Sequence, residues 1–184
     1  PQTHFKHMEY LDVLDEFGNK TGAKKLREEI HRDGDWHACV HVWLITHSGQ
    51  ILLQKRSSNT RTYPGLWAYS AGGHILAGET PEDAVTREMA EEMGLVVTKD
   101  EMKFSFVNKN QDIRLNNQFD FIYIVIKDVD LKNLILDSAE VEKVDWFEIA
   151  EFEKLKKARD LTFVPKSTEY NDKLFEALHR ISGL

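Results

Sequence analysis

Residues 73–95 read GHILAGETPEDAVTREMAEEMGL, and this order of turn residues, carboxylates and apolar residues predicts a loop, a helix and a second loop. Thr80 suits the N-cap position, Pro81 suits the first helical position, and Asp83 stands where a capping box places its acidic residue. Gly94 is the residue type that commonly ends a helix in the left-handed conformation. We therefore expect a helix that begins at Pro81 and ends just before Gly94.

The predicted helix carries an apolar face and an acidic face. On a wheel of about 100° per residue, three apolar residues fall within about 80°, and three carboxylates fall within about 100° on the adjoining face. Like charges at these spacings repel by roughly 0.2–0.5 kcal/mol per pair on an exposed helix. Either solvent screens these charges or a hard divalent cation binds them, and oxygen ligands suit Mg²⁺ or Mn²⁺ better than zinc. The apolar residues are Val85, Met89 and Met93, and the carboxylates are Glu88, Glu91 and Glu92.

The spacing of fixed residues across residues 73–95 favours the cation. The segment fits the pattern G-x5-E-x7-R-E-U-x-E-E-x-G-U, with U aliphatic, at every specified position. Average compositions produce such a match by chance in roughly one chain in ten million. The segment resembles the Nudix box, the signature of the Nudix hydrolases, and the match is complete. The matching residues are Gly73, Glu79, Arg87, Glu88, Met89, Glu91, Glu92, Gly94 and Leu95.

This resemblance implies a fold and an activity. The fold is an α/β (α+β) Nudix α/β/α sandwich with a mixed β-sheet, in which residues 73–95 form the loop–helix–loop. The activity is hydrolysis of a phosphoanhydride bond in a nucleoside diphosphate linked to another moiety. Such a cleavage needs charge neutralised on the phosphate oxygens and a water made nucleophilic, and metal ions supply both.

The resemblance also implies which residues hold the metal. The expected ligands of Mg²⁺, with Mn²⁺ as the alternative ion, are the carboxylates of Glu88, Glu91 and Glu92 and the carbonyl of Gly72 or Gly73. Glu91 is the candidate catalytic base, although the sequence leaves open which glutamate of the cluster accepts the proton. The number of metal ions is also left open.

Three further residues complete the catalytic prediction. By the resemblance, Glu79 would orient the box or a water, and Arg87 would pair with the box carboxylates rather than touch the substrate. Glu140 lies in a segment, residues 138–147, that resembles the last strand of many Nudix proteins, where a glutamate lies near the metals. It is therefore a candidate extra base or metal ligand.

The charge of the chain limits its partners. Lys and Arg number 24 against 31 Asp and Glu, which gives a formal net charge of −7, so a general nucleic-acid binder is disfavoured. A cation can still mediate binding of a small polyanion such as a nucleoside diphosphate derivative. Arg56 and Arg61 are the candidate substrate-binding residues, because arginine suits bidentate phosphate contacts; ordinary surface charge is the alternative.

Composition also bears on the compartment and the domain organisation. The single cysteine, Cys39, cannot form an internal disulfide, and the longest apolar runs are too short to cross a bilayer. We expect a cytoplasmic protein without a membrane partner, and the N-terminal hairpin is the candidate contact of a homodimer. Residues 9–184 are expected to form a single Nudix hydrolase domain, and residues 1–8 a disordered or tag-derived N-terminus.

Outside the box, period-two patterns and turn residues predict a mixed sheet with helices against it. The predicted strands are residues 9–15, 36–46, 51–56, 66–73, 104–108, 118–126 and 141–147, and the further predicted helices are residues 149–159 and 168–181.

The segments before the box resemble a narrower branch of the same superfamily. LLQKR at residues 52–56, YPGLW at residues 63–67 and SAGGH at residues 70–74 are similar to type I isopentenyl-diphosphate isomerase. That isomerase needs a cysteine where this chain has Gly72, and a Glu-x-Glu pair where this chain has Asn116 and Gln118. The isomerase chemistry is therefore expected to be absent.

The sequence leaves two alternatives open. One is an isomerase-like protein, and the other is a non-catalytic Nudix fold that serves as a binding module, although such modules usually show an eroded box. The isomerase resemblance also raises a second metal site, because its metal histidines approximately match His31, His37 and His74. Isolated histidines are more often ordinary surface or hydrogen-bonded residues, so the sequence leaves this site open.

Overall fold

The computed structural model describes residues 8–112 and 116–183, so the N-terminus predicted to be disordered or tag-derived lies, apart from Met8, outside the described residues. The strands within this part of the chain are β1 (Tyr10–Leu14), β2 (Lys20–Leu26), β3 (His37–Ile45), β4 (Gln50–Arg56), β5 (Trp67–Ala68), β6 (Ala71–His74), β7 (Met102–Asp112), β8 (Asn116–Ile126) and β9 (Val141–Glu148). The helices are α1 (Arg27–Asp33), α2 (Pro81–Met93), α3 (Ile149–Lys157) and α4 (Thr168–Ser182).

Strand β3 is the centre of a mixed sheet. Along one edge it runs parallel to β8, which pairs in turn with β7. Along the other edge it pairs antiparallel with β6 and, only at its end, with β4, which diverges to pair with β5 and β9. Ser70 closes the gap where the strands part: its hydroxyl accepts from the Leu44 N–H at 2.7 Å and donates to the Leu52 carbonyl at 2.5 Å. The prediction of a mixed sheet is confirmed.

Helices cover both faces of this sheet. Helix α2 packs its apolar face against one side, and α3 and α4 pack against the other. Fully buried residues of α2 and of the strands meet in the first layer, which includes Val40, Val42, Leu52, Val85, Met89 and Met93. The second layer includes Ile51, Leu53, Ile124, Phe152, Tyr170 and Leu174. The α/β/α sandwich is therefore confirmed, with the box helix forming one outer layer.

The hairpin β1–β2 and helix α1 form a small unit beside the loop that precedes α2. Leu11, Val13 and Ile30 make its apolar core, and Leu76 of the loop packs against them. The Ala77 N–H donates to the Tyr10 carbonyl at 2.7 Å, which ties this loop to the hairpin. The N-terminal unit therefore supports one side of the box.

Several element boundaries differ from the prediction. Helix α2 has the predicted bounds. No bounds were predicted for β2, the second strand of the N-terminal hairpin, and α1 was not predicted. The strand predicted for residues 66–73 is divided into β5 and β6 around Ser70, because this segment changes partner from β4 to β3. Strand β7 is longer than predicted, and α3 ends two residues earlier. In the described part of the chain, no helix has the length and apolar character needed to cross a bilayer.

Candidate active site on the box helix

Both ends of α2 are fixed by local hydrogen bonds. The Thr80 hydroxyl accepts from the Asp83 N–H at 3.2 Å, and the Asp83 carboxylate accepts from the Thr80 N–H at 3.2 Å. At the other end Gly94 has φ 64°, and its N–H donates to the Ala90 carbonyl. An L side chain rarely adopts this backbone conformation, so glycine suits the position. The acidic residues of the helix are therefore held on a rigid element.

Arg87 joins the helix to the loop that precedes it. Its Nε and Nη2 donate to the two carboxylate oxygens of Glu79 at 2.8 and 3.0 Å, and Nη2 also donates to the His74 carbonyl at 2.7 Å. Glu79 in turn accepts from the Leu76 N–H at 2.9 Å. Burial raises the pKa of Glu79, but the hydrogen bonds from Arg87 and Leu76 outweigh it and hold that pKa below its ordinary value.

Glu88 lies against the backbone of the loop. The Arg87 Nη1 donates to its carboxylate at 2.6 Å, and only 8% of the residue is exposed. A Cβ on Gly73 would collide with this carboxylate, so the close approach requires glycine at that position. Burial is the main reason why the pKa of Glu88 rises to about 7, since the nearby Arg87 only partly offsets it. Carboxylate oxygens of this kind are the ligands that hard divalent cations prefer.

Glu92 is the second buried carboxylate of the helix, one turn after Glu88 and also 8% exposed. The Gln54 Nε2 donates to it at 2.9 Å, whereas the Gln54 Oε1 is buried with no partner among the described residues. Burial, followed by the charges of Glu88 and Glu140, raises the pKa of Glu92 well above its ordinary value. Two buried carboxylates and an unpartnered amide oxygen thus share one side of α2.

This donor set fits a hard divalent cation. All of its members offer oxygen, and the repulsion between buried carboxylates is relieved when a cation binds between them. Glu91 differs from the other two glutamates, because 60% of its side chain is exposed and it receives only a 3.3 Å contact from Arg87. Its carboxylate is therefore free to reach solvent or a ligand.

The remaining predicted residues lie at different distances from this cluster. Arg56, at the end of β4, donates to the Thr62 carbonyl at 2.9 Å, and its charge lowers the pKa of Glu92. Glu140 is exposed in the turn before β9, and its charge also acts on Glu92. Arg61 is exposed, and its charge acts on His31.

Gly72 lies on β6 beside the cluster, opposite His41 of β3. A Cβ at this position would come within 2.5 Å of the Val40 carbonyl oxygen and 2.8 Å of the Tyr69 ring. A side chain therefore does not fit here without movement of the backbone. At the position of the second isomerase glutamate, the Gln118 Nε2 donates to the buried Asp120 at 2.5 Å.

Gln54, which contacts Glu92, was not predicted as a site residue. Strand alternation gives the signal that could have found it, since the neighbouring Leu52 faces α2 and Gln54 is two residues further on. A polar residue on the buried face of a strand, opposite an acidic helix, indicates a function.

Sequences of one protein family are similar to this chain over most of its length. The NUDIX domain family model matches residues 35–166. The chain is 36% identical to Nudix hydrolase 3 of Arabidopsis thaliana over 94% of its own length, but it spans only 23% of that protein. It is 32% identical to an uncharacterized Nudix hydrolase of Listeria monocytogenes, over 86% of the chain and 89% of the relative. It is also 35% identical to an isopentenyl-diphosphate Delta-isomerase of Corynebacterium diphtheriae over 48% of each chain.

Solved structures share the fold. A protein of Deinococcus radiodurans superimposes with a TM-score of 0.69 at 22% identity, covering 94% of this chain and 98% of that one. The NUDIX domain of Shewanella oneidensis NrtR, crystallised with ADP ribose, superimposes with a TM-score of 0.55 at 21% identity, covering 77% of this chain and 87% of the other.

Proposed function

Because the chain belongs to the Nudix hydrolase family, in the branch similar to isopentenyl-diphosphate isomerase, we propose that it hydrolyses a phosphoanhydride bond with the help of a divalent metal. The substrate class is a nucleoside diphosphate linked to another moiety. The observation that carries the proposal is the pair of buried carboxylates, Glu88 and Glu92, on one side of a capped helix beside Gly73.

We assign the metal to the acidic side of α2. The ligands are Glu88, Glu91, Glu92 and the carbonyl of Gly72, with Mg²⁺ as the cofactor and Mn²⁺ as the alternative ion. When bound, the cation neutralises charge on the phosphate oxygens and makes water more acidic. Glu91 accepts the proton of the attacking water, because its carboxylate is the exposed one of the three. Glu140, whose charge acts on Glu92, is a second base or an additional ligand.

The other residues position the box and the substrate. The Arg87 guanidinium donates hydrogen bonds to Glu79, Glu88 and the His74 carbonyl. Arg87 therefore holds the loop and the helix together rather than contacting a substrate. Arg56 and Arg61 bind phosphate oxygens of the substrate, because arginine suits bidentate phosphate contacts. The ADP ribose bound by the Shewanella domain supports a substrate of the nucleoside diphosphate class.

An isomerase is the second candidate, because relatives with that name align with about half of this chain. Isomerisation moves a proton across a double bond, so it needs an acid on one face of the alkene and a base on the other. Gly72 has no side chain, and the backbone and the Tyr69 ring fill the space that one would occupy. The Gln118 amide cannot take the place of a carboxylate base.

A product assay distinguishes the two candidates. With Mg²⁺, the protein should release a phosphorylated product from at least one of a panel of nucleotide sugars, dinucleotides and coenzyme A. Isotope-labelled water should place its oxygen on phosphorus, since water is the nucleophile. Isopentenyl diphosphate should remain unconverted, and Gly72→Cys alone should not create isomerase activity. Isomerisation at a rate proportional to protein concentration, or no hydrolysis of any panel member, would count against the proposal.

Metal binding should also stabilise the folded protein. A ligand that binds only the folded state at a hundred times its dissociation constant adds about 2.7 kcal/mol to the free energy of unfolding. Millimolar Mg²⁺ or Mn²⁺ should therefore raise Tm in a thermal melt, and Glu88→Gln should reduce the shift. Glu151→Gln, the same change at an exposed position on α3, should leave it intact. Equal shifts in all three proteins, or none, would favour a solvated acidic face.

A further inference from the structure

A layer of buried polar side chains lies on the sheet face that α4 covers, beside Gly72. His41 is the register partner of Gly72 across β3 and β6, and its ring stacks on the Tyr69 ring with the centroids 4.4 Å apart. The His41 Nδ1 lies 3.0 Å from the Tyr170 hydroxyl, and its Nε2 lies 3.6 Å from a carboxylate oxygen of Asp120. Because His41, Tyr170 and Asp120 are all buried, this polar layer is a fixed part of the fold.

The hydrogen bonds of the polar layer are satisfied from within it. The Trp43 Nε1 donates to the Tyr170 hydroxyl at 3.3 Å, so the hydroxyl hydrogen is free to turn to the His41 Nδ1. His41 then carries its own hydrogen on Nε2, which faces Asp120. Burial lowers the pKa of His41 to about 3, so its ring is neutral. Asp120 also accepts from two side-chain amides, those of Asn108 and Gln118.

Lys166 borders the polar layer, but its ammonium group has no acceptor. The Nζ lies over two rings, 5.8 Å from the Tyr69 centroid and 5.1 Å from the Tyr170 centroid. It makes no hydrogen bond and no ion pair with residues 8–112 or 116–183, although the residue is partly buried. Burial lowers the pKa of Lys166, and the charge of Asp120 only partly offsets this effect. Leaving three donors of a partly buried cation without an acceptor costs free energy.

The loop before α4 holds Lys166 in this position. The Trp67 N–H donates to the Thr162 carbonyl and the Val164 N–H donates to the Trp67 carbonyl, both at 2.8 Å, which ties the loop to β5. Lys156 of α3 donates to the Val164 carbonyl at 2.7 Å. Burial and then the charge of Lys166 lower the pKa of Lys156 to about 8. Two cations thus repel each other in this region, and a bound anion would relieve the repulsion.

Two glycines of β6 connect this region to the glutamates of α2. A Cβ on Gly73 would collide with the Glu88 carboxylate, whereas a Cβ on Gly72 would come within 2.8 Å of the Tyr69 ring. Successive residues of a strand point to opposite faces of the sheet, so Glu88 approaches the glycine pair from the α2 face and Tyr69 from the α4 face. Lys166 lies over that same tyrosine ring. A diphosphate at the glycine pair would therefore have the glutamates on one side and the Lys166 ammonium on the other.

We propose that Lys166 binds a phosphate group of the substrate and makes the site selective for two linked phosphates over one. The inference rests on the proposed function, which assigns the metal and Arg56 to the same diphosphate. Two linked phosphates carry more negative charge than one, so a second cation opposite the metal favours them. An ammonium with three donors suits phosphate oxygens. A single phosphate bound by the metal does not need Lys166.

Calorimetric titration in saturating Mg²⁺ tests this proposal. The probes are AMP and the α,β-methylene analogue of ADP, in which a carbon replaces the bridging oxygen so that the ligand is not hydrolysed. Lys166→Met keeps an apolar stem over the two rings but removes the charge. It should raise the Kd of the ADP analogue roughly tenfold or more, and the Kd of AMP by less than about threefold. Lys166→Arg should retain most of the affinity, because it keeps the charge.

Lys173→Met is the matched control. It removes another lysine close to an aromatic ring, since the Lys173 Nζ lies 5.9 Å from the Phe106 centroid on the same side of the sheet. Lys173 is exposed and already paired with Glu169 at 2.7 Å. This variant should therefore bind both probes as the wild type does.

Thermal melts separate a binding role of Lys166 from a structural one. Because the ammonium has no acceptor among the described residues, Lys166→Met should leave Tm unchanged or raise it while it weakens binding. A fall in Tm with unchanged affinity, equal Kd values of the ADP analogue for wild type and Lys166→Met, or no binding of the analogue by folded wild type would each overturn the proposal. Hydrolysis could fail in the product assay while the loss of affinity is observed, so the two proposals fail separately.

Discussion

Glu92→Gln should lower turnover by roughly a hundredfold or more while the protein still folds. The substitution preserves the size of the side chain and its helix propensity but removes a charged oxygen ligand. In the wild type the Gln54 Nε2 donates to the Glu92 carboxylate at 2.9 Å, and the amide oxygen of the new side chain can still accept this hydrogen bond. The loss should therefore appear in kcat at saturating Mg²⁺, with an unchanged circular dichroism spectrum.

Stability without divalent ions gives a second readout for Glu92→Gln. Because burial and Glu88 disfavour the ionised form of Glu92, a neutral amide in its place should leave the free energy of unfolding unchanged or slightly higher in chelated buffer. The matched control is Glu151→Gln, which should affect neither turnover nor stability. Turnover close to wild type for Glu92→Gln would remove this residue from the metal site.

The box helix could be predicted from the sequence because everything that defines it is local. Its caps at Thr80 and Gly94 and its apolar face are set by residues within one segment of the chain. The buried position of Glu88 also follows from the same segment, since Gly73 provides the room that its carboxylate needs. A signature of this kind combines local structure and site geometry, so both are predicted together.

The residues that reach the site from other strands could not be predicted in the same way. Gln54 meets Glu92 only because β4 diverges from β3 and passes beneath α2. The division of the strand predicted for residues 66–73 depends on Ser70, whose hydroxyl bridges two other strands. Such contacts are set by sheet topology, which spacing within one segment does not encode.

The N-terminal unit shows a different limit. β2 and α1 carry few buried residues: β2 has none that is fully buried, and α1 has Ile30 alone. Hydrophobic periodicity is therefore weak in both elements, and they are stabilised by packing against β1 and the box loop. Without α1, the sequence gives no reason for His31 to approach His37 and His74, although the structure brings one ring nitrogen of each within 4.8 Å of the others.

Arg87→Gln should lower the free energy of unfolding by about 3 kcal/mol in divalent-free buffer. Arg87 is 20% exposed in its side chain and is the cation shared by Glu79 and Glu88, so its removal leaves two partly buried carboxylates without a counter-charge. It also removes the donor to the His74 carbonyl. For a chain of this size the loss corresponds to a fall in Tm of roughly 6–12 °C.

An exposed arginine–aspartate pair serves as the control for the effect of Arg87→Gln on stability. Arg32→Gln makes the same substitution in the exposed pair with Asp33, where 70% of the arginine side chain is accessible, and should leave the urea midpoint close to that of the wild type. Adding Mg²⁺ should restore part of the loss in Arg87→Gln, because a bound cation replaces some of the missing positive charge near Glu88. Equal urea midpoints for Arg87→Gln and Arg32→Gln would mean that the Arg87 contacts do not hold the box loop to the helix.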